Sequence, residues 1–192
     1  MAPASLILAS ASPRRRDLFA AAGVAFQIVE SGIDETRRDD EAAPAYALRM
    51  ACEKALQVSR RHLEALVLGA DTVVELNGDI LLKPLDAADA RRMLRALSGN
   101  THTVVTAFAI ARADRLLESA PVIARVTFRD LTPSAIDTYL ATGESFDKAG
   151  SYGIQGAGAA FIASVKGSRD TVMGLPVREV LAALRRHGLD AR

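Results

Sequence analysis

Apolar positions along the chain fall into short blocks and helical stripes, and their spacing predicts most of the elements. Leu6-Ile7-Leu8-Ala9 reads as a short buried strand, and Ser10-Ala11-Ser12-Pro13 turns it into a stretch with Leu18, Phe19 and Ala22 at helical spacing that closes at Gly23. Ser12 suits a helix cap and Pro13 the first helical position, where its missing N–H costs nothing. Phe26 to Val29 resumes as strand, and Ser31 to Glu41, dense in charge, reads as a solvated loop. A helix follows from about Pro44 to Arg61, with Leu48, Cys52, Ala55 and Leu56 as its buried stripe.

Leu66 to Leu76 is apolar enough for burial on both faces, is interrupted by Asp71, and ends at Asn77-Gly78, a strong hairpin signal. Asp86 caps a helix carrying Ala90, Leu94 and Leu97 that stops at Ser98-Gly99. His102 to Ala111 and Val122 to Phe128 flank Ala113-Asp114-Arg115 as an antiparallel pair, and Thr132-Pro133 opens a helix to about Leu140. The glycine-dense Gly150 to Gly158, a strand from Ala160 to Val165 and a helix from Pro176 to His187 complete the chain. No repeat, linker or composition shift divides residues 1–192, which reads as a single α/β domain around a mixed sheet.

Composition narrows the function classes. The chain has 192 residues, 49% of them hydrophobic, which suits a packed core, and a net charge of +1, which gives no global field for DNA, RNA or anionic lipid. Nine aromatics, none of them Trp, also speak against a nucleic-acid surface. The single cysteine excludes an internal disulfide and a Cys-based zinc cage, and three dispersed histidines make no metal cluster. The longest apolar runs, such as Val104 to Ala111, fall well short of the roughly 20 residues that a membrane span needs. Leu6 to Ala9 is too short for a signal core and its arginines follow rather than precede it, so the expected location is cytoplasmic.

Three places break the local rules. Arg14-Arg15-Arg16 stands in the first turn of a helix, where the backbone dipole is positive and a cation costs about 0.3 to 1 kcal/mol. A phosphate held by the helix start, the Ser10 and Ser12 hydroxyls and an arginine fork offsets that; arginines turned toward the acidic 34–41 loop are the alternative. Asp71 lies in an otherwise buried stretch and needs a partner, which leaves a metal ligand or general base open beside a buried cap or ion pair. Lys54 leaves an apolar helix surface among Met50, Ala51 and Val58, and Lys83 stands beyond the hairpin; each taken alone is a snorkelling lysine. Gln155 sits in the glycine run, where its amide could read a base edge, although a tight turn explains the glycines equally well. The spacing fits neither a dinucleotide fingerprint nor a P-loop. Cys52 reads as a core residue, Arg49 and Glu53 as an exposed helix pair, and the histidines carry no motif.

Taken together, Leu-Ala-Ser10-Ala-Ser12-Pro-Arg14-Arg15, Asp34-Glu35-Thr36, Glu53-Lys54-Ala55, Gly69-Ala-Asp71-Thr72-Val, Lys83-Pro84, Leu97-Ser-Gly99 and Ala149-Gly-Ser-Tyr-Gly-Ile-Gln155-Gly resemble the Maf family of nucleoside triphosphate pyrophosphatases, from Ser5 to about Leu184. The resemblance implies an elongated mixed sheet flanked by helices, with two lobes and a central cleft, similar to the inosine triphosphate pyrophosphatases. It implies hydrolysis of a nucleotide to its monophosphate and pyrophosphate with a divalent cation, Mg or Mn. On this resemblance the catalytic base falls on Asp71, and the other phosphate or metal contacts on Ser10, Arg15, Glu35, Lys54 and Lys83, with Glu35 open between metal ligation and water positioning. Arg14, Thr72 and Gln155 match the branch selective for dTTP and UTP, where the branch selective for 7-methyl-GTP tends to Trp, Gln and Glu. The expected partner is a nucleoside triphosphate, with no nucleic acid and no membrane, and a homodimer accords with the family. The family's association with arrested septum formation finds no explanation in these residues. A nucleotide-sensing regulator of septum formation without significant catalysis is the competing reading, and the carboxylate at Asp71, superfluous for a sensor, weighs against it.

Overall fold

A computed structural model describes residues 5–189. In chain order these form β1 (Leu6–Ala9), α1 (Pro13–Ala21), β2 (Gln27–Ile28), α2 (Ala43–Ser59), β3 (Leu66–Leu76), β4 (Asp79–Leu81), α3 (Ala87–Leu97), β5 (Thr101–Arg112), β6 (Arg115–Phe128), α4 (Pro133–Ala141), β7 (Ile162–Lys166), α5 (Arg169–Met173) and α6 (Val177–Arg186). The strands neighbour one another in the order β2-β1-β3-β5-β6-β7, with β4 on β3. Parallel and antiparallel pairs both occur, so the sheet is mixed, as expected from the alternation of helices and strands.

The described residues fall into two compact units: residues up to Asp71, with Thr106–Val122 and those from Gly174 onward, and Thr72–Val105 with Ile123–Met173. In the first unit, β1 lies parallel to β2 and β3, with Leu8 opposite Leu68 and Ala9 opposite Gly69. Side chains alternate across a strand, and Leu6, Leu8, Leu66, Leu68 and Ala70 therefore pack together with Phe19, Phe108, Ile110 and Leu184 on one face. Val67, Gly69 and Asp71 belong to the other face. There α2 comes unusually close: a Cβ on Gly69 would lie 2.3 Å from the Ala51 carbonyl oxygen and 2.8 Å from the Ala55 amide nitrogen. Only a glycine permits that separation.

This approach rotates the buried face of α2 away from the expected stripe. Ala47, Met50, Ala51, Ala55 and Val58 are buried, while Leu48, Cys52 and Leu56 are only half-buried. Ala51 and Ala55 face the strand because backbone nearly touches backbone there, Met50 and Val58 are buried beside them, and Leu48, Cys52 and Leu56 fall to the side. Cys52 is accordingly not a core residue; partial burial still pushes its thiol pKa up, opposed by a hydrogen bond with Ser119.

In the second unit, β3 and β4 form the hairpin at Asn77-Gly78, both residues with positive φ as a two-residue turn of this kind requires. Asp86 caps α3 through the Asp89 amide, and Thr132 caps α4 through that of Ala135. The core gathers Val74, Leu94, Leu97, Val104, Val126, Phe128, Ile136, Tyr139, Tyr152 and Phe161. The strand expected from Ala160 starts at Ile162, because two short 3-10 turns, Ala149–Ser151 and Gly156–Phe161, take up the segment before it. The five-residue α5 has no counterpart in the sequence reading.

Candidate active site

Ser10 follows the last residue of β1, and Asp71 lies mid-strand in β3, two residues past Gly69 where the parallel pairing with β1 stops, so both stand near the carboxyl end of that pairing, where ligands of α/β sheets collect. Asp71 does not interrupt its strand; β3 is regular through it. Its side chain shares the Gly69 face and so meets α2. Lys54, one helical turn on from Ala51, occupies that contact, and its Nζ donates to Asp71 Oδ1 at 2.6 Å. Asp71 is 8% exposed and Lys54 6%, so the lysine is no surface residue: each is the partner that the other's burial demands.

Lys54 Nζ also lies 2.8 Å from Glu35 Oε1, which brings both candidate metal carboxylates to one ammonium. Glu35 belongs to the exposed 31–42 loop, yet this loop is tethered. The Tyr46 hydroxyl donates to the Glu35 carbonyl at 2.7 Å. Arg49 forks onto Glu41 with two bonds of 2.7 Å and reaches the Thr36 carbonyl at 3.1 Å. The expected pair with Glu53 is present at 3.4 Å, but the Arg49 side chain is only 14% exposed and its stronger partner is Glu41, since a bidentate bond of this kind is among the strong ones. That bond raises the Arg49 pKa further and lowers that of Glu41. Burial first, then the charges of Asp71 and Glu35, push the Tyr46 hydroxyl up to about 12, so it remains a donor at neutral pH.

At the start of α1, Ser12 caps the helix by accepting from the Arg15 amide at 3.4 Å, with Pro13 first in the helix. The three arginines diverge. Arg15 Nε donates to the Gly174 carbonyl at 2.7 Å and its Nη1 to Ser10 Oγ at 3.4 Å. Burial pulls the Arg15 pKa down, and Asp71 and Glu35 pull it back up, which places both acids within electrostatic reach. Arg16 pairs with Asp17 at 2.9 Å, and Arg14 is half-buried. The first unit thus brings Ser10, Arg15, Glu35, Lys54 and Asp71 together. Thr72, half-buried, follows Asp71 on β3.

In the second unit Lys83 and Gln155 are exposed. The segments bearing them are joined by the Gly150 amide, which donates to the Leu82 carbonyl at 3.2 Å. Around Gln155 the turn is held by the Gly153 amide on Tyr139 Oη at 3.2 Å and the Ala157 amide on Glu144 Oε2, also 3.2 Å. A Cβ on Gly158 would meet the Gly153 carbonyl oxygen at 2.5 Å, so the turn's own packing calls for that glycine. Below it, His102 Nε2 lies 2.7 Å from Tyr152 Oη in a cluster with Phe128. Arg49, Tyr46, Glu41, Glu144 and His102 have no part in the motifs quoted above; the one available signal was an arginine on the same helix face as Tyr46 and Glu53.

Among the described residues no group of three or more His, Cys, Asp or Glu gathers, so a metal has no all-protein cage. Two carboxylates converging on one cationic point nevertheless suit a hard divalent ion that takes its remaining oxygens from phosphates and water. No helix among the described residues is long and apolar enough to cross a membrane.

Comparison with known proteins gives the family. The family model described as Maf-like protein matches residues 5–187, and the chain belongs to that family. It is 49% identical over 181 residues to a dTTP/UTP pyrophosphatase of Shigella dysenteriae, spanning 94% of this chain and 91% of the relative. The same identity and shares relate it to a dTTP/UTP pyrophosphatase of Escherichia coli O157:H7. A solved structure, the nucleoside-triphosphatase / dITP/XTP pyrophosphatase of Mycobacterium abscessus, superimposes with a TM-score of 0.46 at 14% identity, covering 95% of each chain.

Proposed function

We propose that the chain, acting as one Maf-like domain, hydrolyses dTTP and UTP to the monophosphate and pyrophosphate. The observation that carries this reading is the convergence of Asp71 and Glu35 on Lys54 beside Arg15 and Ser10, in a chain half identical to proteins bearing that activity. Arg14, Arg15, Ser10, Lys83 and the start of α1 hold the triphosphate, with forked and backbone donors suited to phosphate oxygens. Asp71 takes a proton from water as the water oxygen bonds to the α-phosphorus; the bond from that phosphorus to the bridging oxygen breaks and pyrophosphate leaves. In the nucleotide-free protein Lys54 engages Oδ1 of Asp71 and holds the carboxylate in place until substrate arrives. Glu35 and Asp71 would hold Mg or Mn, which when bound neutralises charge developing on the phosphates. Positioning and charge supply most of the acceleration in such reactions, so the cations matter as much as the base. Thr72, Arg14 and Gln155 select the pyrimidine.

The reading is of a cytoplasmic homodimer working on free nucleotides, with neither nucleic acid nor membrane as partner; any effect on septum formation would follow from nucleotide hydrolysis. A panel of nucleoside triphosphates, with methylated and other modified bases, assayed for pyrophosphate release with Mg or Mn, tests it. dTTP and UTP should lead the panel. Binding of these nucleotides with no release from any would convert the reading to a sensor.

A further inference from the structure

The two carboxylates given to the metal already hold a cation. Lys54 Nζ contacts Asp71 Oδ1 at 2.6 Å and Glu35 Oε1 at 2.8 Å, and its side chain is buried on the face of α2 that meets β3. Arg15 adds a second positive charge within reach of both acids. Two carboxylates are matched by Lys54 and Arg15, and Arg14 also lies within charge range of Arg15, so a divalent ion arriving alone finds no net negative charge and must share its oxygens with an ammonium. Burial forbids leaving Asp71 without a counter-charge, which is why the lysine sits there, and the half-exposed Glu35 shares it.

We infer that Lys54 is a resident counter-cation: it keeps Asp71 and Glu35 paired before substrate arrives, and the divalent ion displaces it. This rests on the metal role proposed above for the two acids. A lysine suits the task because its ammonium is a point charge on a flexible four-carbon stem, able to leave one partner for another without moving its helix. The phosphates of an incoming nucleotide give the displaced ammonium a new partner and bring the divalent ion with them. Metal and nucleotide should therefore bind with positive coupling, each raising the affinity of the other by the same factor.

Mn²⁺ alone, titrated into the nucleotide-free protein and followed by its EPR signal, reads the exchange without any turnover. Wild type should bind weakly and K54M at least tenfold more tightly. A nucleotide analogue with a non-hydrolysable α,β linkage should strengthen Mn²⁺ binding in wild type far more than in K54M. Because K54M removes a buried partner, its melting temperature is read alongside; a rise on adding Mn²⁺ larger than that of wild type is the same result seen through folding. Glu35 is half-exposed, so E35Q keeps the fold, and E35Q/K54M should lose the gain in affinity. K54M binding Mn²⁺ no more tightly than wild type, by either readout, overturns the exchange and leaves the pyrophosphatase reading intact. Undiminished wild-type hydrolysis of dTTP in excess EDTA overturns the metal role itself.

Discussion

The two units hold their functional residues in opposite ways. In the first, the side chains assigned to chemistry are buried or tethered and bonded to one another: Lys54 to Asp71 and Glu35, Arg15 to Ser10, Arg49 to the loop that carries Glu35. In the second, Lys83 and Gln155 are exposed, and order resides in the backbone beneath them, through Tyr139, Glu144 and the buried His102–Tyr152 pair. A buried charge must have its partner in place before a ligand arrives, whereas an exposed amide needs only a turn of fixed shape. The residues proposed for the reaction are thus prearranged by charge, and the one proposed for selection by the packing of its turn.

The largest effect expected from this contrast belongs to the first unit. Asp71→Asn keeps the shape of the side chain and a hydrogen-bonding oxygen toward Lys54 but removes the base, so turnover of dTTP should fall about a thousandfold, the middle of the range for a lost general base, while nucleotide binding persists. Pyrophosphate release near the wild-type rate would remove Asp71 from the chemistry.

Next comes the packing of the second unit. His102 is 2% exposed, and burial lowers its pKa to about 4 from an ordinary 6.5. In the unfolded chain it protonates near 6.5, so stability is complete above that pH and declines as pH falls toward 4, by about 3 kcal/mol in all. Urea unfolding at pH 7 and pH 4.5 should show His102→Phe losing less stability over the interval than wild type. Equal losses would mean that His102 carries no share of the acid sensitivity.

The close approach of α2 to β3 supplies the third test. Gly69→Ala places a Cβ against the Ala51 and Ala55 backbone, which no rotamer change relieves, so α2 must shift and carry Lys54 away from Asp71. Overpacking of this kind costs about 1–3 kcal/mol. The melting temperature should drop and turnover with it; wild-type values for both would show that the contact is dispensable to the site.

What the sequence disclosed follows from which interactions leave a local trace. β3 was legible to the residue because both its faces are apolar, and so were the Asn77-Gly78 turn and the caps Asp86 and Thr132, where one residue type performs one backbone task. The buried face of α2 departs from its apolar stripe because large residues are usually the buried ones, and here Gly69 admits only Ala51 and Ala55 at the point of closest approach. Asp71 was recognisable as an acid in need of a partner, and Lys54 as a lysine leaving an apolar surface. Only the fold shows that they answer each other across 17 positions. Arg49 looked solvated because its main partner, Glu41, lies eight residues back in an irregular loop, beyond any helical spacing. The short α5 lacks both length and periodicity.

The smallest effect, and the one that bears most directly on the second unit, is at Gln155. Glu144 already places its carboxylate against Gly156 and the Ala157 amide, next to the Gln155 position. Gln155→Glu would set a second negative charge there and exchange an amide donor for an acceptor-only group, which a pyrimidine edge and a triphosphate both disfavour. A lost specific hydrogen bond of this kind is worth about 1.4 kcal/mol, or roughly tenfold in kcat/KM for dTTP and UTP. Since the exposed side chain holds up no part of the turn, the melting temperature and Mn²⁺ affinity should stay at their wild-type values. Selectivity is the quantity to measure: the ratio of pyrimidine to purine triphosphate hydrolysis should drop in Q155E while the Asp71-dependent step survives. A uniform loss over all nucleotides would mean that Gln155 serves the shape of the turn rather than reading the base, and the separation between a charged reacting end and a packed selecting end would not hold.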